Sequence, residues 1–177
     1  MASKNKTSLV WIIVVTILLL LTLVMCFSMY RYPVVRIPVS QNQYADALLT
    51  YVPGIKMTNV HSIASGDITI LDPETLYVRL YVANIESLIM AHIHILDASN
   101  NDPPILTLIS IPNRPISIGS KPVLIVKNRF SIRDFINDLQ GKNMAYFLQQ
   151  LSQKKLFFNV HTELNPNGEL QGTINMS

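Results

Sequence analysis

The chain has 177 residues, a formal net charge of +3 and one cysteine, Cys26, so no internal disulfide can form and any globular part must rest on its own hydrophobic core. The basic excess is local: Lys4, Lys6, Arg31 and Arg36 flank one apolar run, which leaves ten basic against 11 acidic residues elsewhere. With Lys121, Lys127, Arg129 and Arg133 few and scattered, that near-neutral remainder lacks a phosphate-binding face, and nucleic acid is excluded as an expected partner.

Residues 1–8 form a short polar N-terminus. Residues 9–30 contain no charge, proline or glycine, and 22 residues in a helix at about 1.5 Å each reach across the ~30 Å hydrocarbon core of a bilayer. The apolar region of a secretory signal is shorter and ends in a small-x-small cleavage site; this run ends Cys26-Phe27-Ser28-Met29-Tyr30, which predicts a transmembrane helix that is retained. Trp11, Tyr30 and Tyr32 suit the two interfaces. Two lysines and the terminal amine precede the helix and two arginines follow it, a small bias that favours the N-terminus inside. The expected location is therefore a single-pass membrane protein whose C-terminal part is extracytoplasmic, lumenal or on a virion or envelope surface. Leu23-Val24-Met25-Cys26 lacks the small residue that a lipoprotein cleavage box needs before its cysteine, so lipidation at Cys26 is disfavoured.

In residues 31–43, Pro33 and Pro38 interrupt short β-branched stretches, which predicts an extended stalk. Residues 44–177 are long enough to bury a core without staples. Alternation at period two dominates them. Leu76, Val78, Leu80 and Val82 face one way and Tyr77, Arg79 and Tyr81 the other, a half-buried strand. Ile68 and Ile70 precede it, and strands are expected at 91–95, 105–111, 123–126 and 156–162. Asn165-Pro166-Asn167-Gly168 reads as a tight turn into a last strand, 169–174. One helical insertion breaks the series. Ser131 and Asp134 have capping-box spacing, and Ile132, Phe135, Ile136 and Leu139 form a helical stripe repeated by Met144, Phe147, Leu148 and Leu151. The expected architecture is all-β, an antiparallel sandwich with a short helical insertion behind the membrane helix.

The stretch richest in chemistry is Ala91-His92-Ile93-His94. Strand alternation puts both imidazoles on one face, about 6.6 Å apart, with Ala91, Ile93 and Ile95 inward. His161 lies in Phe158-Asn159-Val160-His161-Thr162 with the same outward parity. If the two strands are neighbours, three imidazoles converge, a nitrogen donor set that suits copper or zinc; if not, they are ordinary polar strand residues. His61 is read as a loop residue rather than a fourth ligand. Asp97-Ala98-Ser99-Asn100-Asn101-Asp102 lacks the glycine and terminal glutamate of a calcium loop, with Leu108 at the twelfth place, and is read as a simple acidic turn. Glu163 and Glu169 flank a turn where both are expected to be solvated, which argues against an acid–base pair. There is no G-x-S-x-G elbow, no phosphate-binding glycine loop and no cysteine outside the apolar run.

Ala91-His92-Ile93-His94, together with the block from Asn159-Val160-His161-Thr162-Glu163 to Asn165-Pro166-Asn167-Gly168-Glu169-Leu170-Gln171-Gly172, resembles the CHRD domain family. Ser65-Gly66 and Leu139-Gln140-Gly141 extend the resemblance over nearly all of 44–177. It departs from the family where Ile95 replaces a customary glycine and the loop 97–104 is glycine-poor. The resemblance implies a Greek-key β-sandwich similar in topology to copper–zinc superoxide dismutase, with no agreed enzymatic activity. It implies that His92, His94 and His161 match the copper ligands of that fold in placement. No bridging histidine, zinc set or cysteine pair accompanies them. Two functions follow as expectations. One is a tethered interaction or structural module that meets a protein partner and is not an enzyme. The other is a copper- or zinc-binding protein, with superoxide-dismutase-like redox activity as its furthest extension.

Overall fold

The computed structural model describes residues 15–16, 43–99 and 101–177. Of the expected membrane helix only Val15 and Thr16 are described, and the rest of 9–30 and the stalk up to 42 lie outside the described residues. Among the described residues no helix is long and apolar enough to cross a membrane.

Among the described residues, ten strands and one α-helix follow Gln43. The first five strands are β1 (Tyr44–Tyr51), β2 (Ile63–Asp72), β3 (Thr75–Ala83), β4 (Ile85–Ile95) and β5 (Pro104–Ser110). Then come β6 (Ile116–Ile118), β7 (Val123–Ser131), the helix α1 (Met144–Ser152), β8 (Leu156–Thr162), β9 (Leu170–Thr173) and β10 (Asn175–Met176). All pairings are antiparallel and run in the order β5-β4-β8-β9-β1-β2-β3-β7, with β6 added to β4 and β10 to β1. The joint is β1. Its first six residues pair with β2, and Thr50 and Tyr51 pair with β9, so one strand carries the sheet around.

Alternation builds the interior as expected of half-buried strands. Leu76, Val78, Leu80 and Val82 are buried along β3, and Ala91, Ile93 and Ile95 along β4. In β1 the inward residues are Ala45, Ala47 and Leu49, two of them small. The layers approach closely at Gly66 of β2, where a Cβ would lie 2.6 Å from the Phe158 ring of β8. No other residue type leaves room for that ring.

The helical insertion is a correction. Ser131 and Asp134 do form a capping box, yet they start only a 3₁₀ turn, Ile132–Asp134, followed by a second, Asn137–Leu139. Ile136 is extended, Asn137 has φ +49° and the chain cannot continue as one α-helix through them. Their hydrogen bonds go to the sheet instead. Ile136 N–H donates to the carbonyl of Ile105 at 3.0 Å, and Asn137 Nδ2 to that of Pro104 at 2.7 Å. The segment thus covers the free edge of β5. The second stripe is a true helix: α1 begins at the N-cap Asn143, whose side chain accepts from Tyr146 N–H, and buries Met144, Phe147 and Leu151.

Candidate metal centre

β4 and β8 are adjacent, with Ala91 opposite Val160, His92 opposite Asn159, His94 opposite Phe157 and Met90 opposite His161. His92 and His94 leave β4 on the face away from the core, and His161 leaves β8 on the same face, one step along the ladder. The rings meet diagonally. His92 Nδ1 is 3.0 Å from His161 Nε2, and the ring centroids are 4.9 to 5.7 Å apart. One nitrogen from each ring lies within 4.8 Å of the other two. The expected outward parity of His161 holds, but this is no solvated surface: His161 is 4% exposed and every residue of β8 is buried.

Two loops cover this outer face and decide the protons. His94 Nδ1 lies 2.7 Å from the carbonyl of Asp102, and His161 Nδ1 lies 2.9 Å from the carbonyl of Pro166. A carbonyl only accepts, so both Nδ1 atoms carry hydrogen and both Nε2 atoms keep a lone pair. His92 Nδ1–H then donates to His161 Nε2. Asp102 is held in the left-handed region at φ +37°, with its own Oδ1 accepting from Asp97 N–H at 2.8 Å. The segment read as a simple acidic turn is therefore fastened to the site through its backbone. Phe157 completes the wall of the site, stacked on His94 at 5.2 Å.

Electrostatics keeps the cluster neutral. Burial, then the neighbouring rings of His161 and His94, push His92 down to about 4. Burial lowers His161 to about 4 against the opposing pull of the Pro166 carbonyl, and lowers His94 against that of Asp102. At neutral pH all three rings offer lone pairs.

These donors fit a metal ion. Among the described residues His94 Nε2 is buried without a hydrogen-bond partner, and His161 Nε2 is engaged by a second imidazole alone. Tetrahedral binding at about 2.0–2.1 Å needs nitrogens about 3.4 Å apart, so a pair at the 4.8 Å limit must close by about 1.4 Å. The two backbone carbonyls are the outer partners that orient metal-binding imidazoles in general. His61 is not drawn in: it sits in an exposed turn, its backbone N–H bonded to Asn59 Oδ1 at 2.9 Å.

Glu169 overturns the expectation of solvation. Glu163 is exposed, but Glu169 has 0% exposed surface and accepts from Thr58 N–H, Thr58 Oγ1, Thr162 Oγ1 and Asn165 Nδ2. A charged residue after an Asn-Gly turn looks solvent-facing, and no local signal announces that the loop before β2 folds over it.

A protein-family model described as the CHRD domain matches residues 47–174, a span that contains all three histidines and Glu169. No curated protein and no solved structure matches the chain.

Proposed function

The chain belongs to the CHRD domain family, and on that premise we propose that it is a membrane-tethered module whose β-domain holds one copper or zinc ion on His92, His94 and His161. The observation that carries this reading is the buried Nε2 of His94, which has no hydrogen-bond partner among the described residues and belongs to a ring 5.6 and 5.7 Å from two further imidazoles. An unsatisfied buried acceptor costs about 1–3 kcal/mol, and a cation supplies the partner that no group among the described residues does. Three nitrogens with an open position suit either metal; half-buried Met90 shares that face of β4, opposite His161, and a thioether on the same face favours copper. Copper bound there would supply one-electron chemistry. The chain's own part is to hold the rings, keep two protons on Nδ1 and exclude bulk water.

The pairing of the H-x-H strand with the V-H strand supports the finer fold reading, a Greek-key sandwich similar in topology to copper–zinc superoxide dismutase. A bridging histidine and a zinc set are missing from the sequence, so metal binding or copper handling is the expected role ahead of dismutation. The apolar run 9–30 supports tethering, with the domain on the extracytoplasmic or lumenal side. A second reading, a surface for a protein partner, is favoured by the outward face of β1 and β2, where Leu48 is 63% and Ile63 44% exposed.

The full chain, purified in detergent without a metal-affinity tag, is analysed for metal and titrated with Cu(I), Cu(II) and Zn(II) beside a variant with all three histidines changed to alanine. One equivalent of metal bound by the parent and lost in the folded variant is the expected result. Equal, background metal in both leaves the interaction module.

A further inference from the structure

Glu169 is a buried carboxylate that the imidazole cluster does not touch. Its Oε1 accepts from the backbone N–H of Thr58 at 3.1 Å and from the Thr58 hydroxyl, and its Oε2 accepts from Thr162 Oγ1 at 2.7 Å and Asn165 Nδ2 at 2.9 Å. The four donors are all neutral, and they fill the acceptor sites of a carboxylate. Burying a charge with neutral partners alone is costly, so the arrangement calls for a reason beyond packing.

The bonds lead to the imidazole cluster. Asn165, held by Oε2, donates its N–H to Thr162 Oγ1 at 3.0 Å, and its carbonyl accepts from Gly168 N–H at 3.0 Å and Thr162 N–H at 3.3 Å. Asn165 Nδ2 also donates to the carbonyl of Lys56 at 2.9 Å, which ties the turn to the loop before β2. Pro166 comes next in the chain, and its carbonyl is the acceptor for His161 Nδ1–H. Glu169 closes the turn from its other end, donating its own N–H to Val160 at 2.7 Å. Both ends of the five-residue segment from Asn165 are thus referred to one carboxylate.

We propose that Glu169 is a positioning residue for the imidazole cluster: it holds the turn so that the Pro166 carbonyl keeps the His161 proton on Nδ1 and the lone pair on Nε2. The consequence for metal affinity rests on the proposed metal role; the consequence for the proton does not. A glutamine at this position presents an NH₂ group to donors on one side, and the turn loses a fixed acceptor.

The test uses the metal-free full chain labelled with ¹⁵N in histidine, in which long-range ¹H–¹⁵N spectra report which ring nitrogen carries hydrogen. In the parent, His161 and His94 are both expected as Nδ1–H. In Glu169→Gln, His161 is expected to become a mixture of tautomers while His94, held by Asp102, stays as it was. Val78→Ala, which loosens the core without touching the turn, is expected to leave both unchanged. If Glu169→Gln does not fold, Thr162→Val decides, since it removes one donor to the carboxylate and the acceptor for Asn165 N–H. A second arm titrates Zn(II) and Cu(I), with about a tenfold loss of affinity expected for Glu169→Gln, at the low end for outer partners of metal ligands. A parent that binds no metal defeats the metal reading and leaves the tautomer result to judge this one. His161 remaining wholly Nδ1–H in a folded Glu169→Gln or Thr162→Val protein overturns it.

Discussion

An imidazole buried with one nitrogen bare is stable only as a neutral ring, and three of them side by side resist protonation together. His92 and His161 sit near 4 and His94 also lies below its ordinary 6.5, with burial the leading cause in each. Between about pH 6.5 and 4 the unfolded chain therefore takes up protons that the folded, metal-free domain refuses. Stability is expected to be full above pH 6.5 and to fall as the pH is lowered towards 4. Thermal midpoints measured across this range should drop more steeply for the parent than for the triple alanine variant; parallel profiles would show that the rings do not resist protonation as a cluster. At this scale the histidines were legible, because alternation alone gives their common face. Glu169 was not, because its four donors come from Thr58, Thr162 and Asn165, and Thr58, which supplies two of them, is 111 residues away in sequence.

Strands set what the residues can do. The triad exists because β4 and β8 pair in a register that brings His161 opposite Met90 rather than elsewhere on the ladder, and because Gly66 lets β2 lie against the Phe158 ring behind them. Gly66→Ala is expected to destabilise the domain by about 1–3 kcal/mol, as overpacking does, with denaturant titration as the measurement. An unchanged midpoint would mean that Phe158 yields freely and that the close approach is not needed. Reading strands from alternation worked where one face is wholly apolar, as in β3. It missed β1, whose inward residues Ala45 and Ala47 carry little signal beside an outward Leu48, and β6, which has three residues. The helical stripe at 132–139 failed for a tertiary reason: the edge of β5 offered the backbone better partners than a helix did.

For the whole molecule, tethering is the property to test. If residues 9–30 anchor the chain, the protein should remain in the membrane fraction after alkaline carbonate extraction, and deletion of residues 1–30 should release it. Recovery of the intact chain in the soluble fraction would remove the tether and leave the domain to act in solution. The local order of residues was enough to determine that 44–177 is β-rich and antiparallel, that it belongs with the CHRD domain, and that His92 and His94 share a face, since these depend on alternation and on short motifs. The family resemblance already implied His161 as the third member; only the tertiary structure decided that its strand lies beside β4, that loops bury the cluster and select its protons, and that a hidden carboxylate braces one of those loops. Those outcomes depend on which distant strands become neighbours, and pairing between strands leaves no periodic trace in either strand alone.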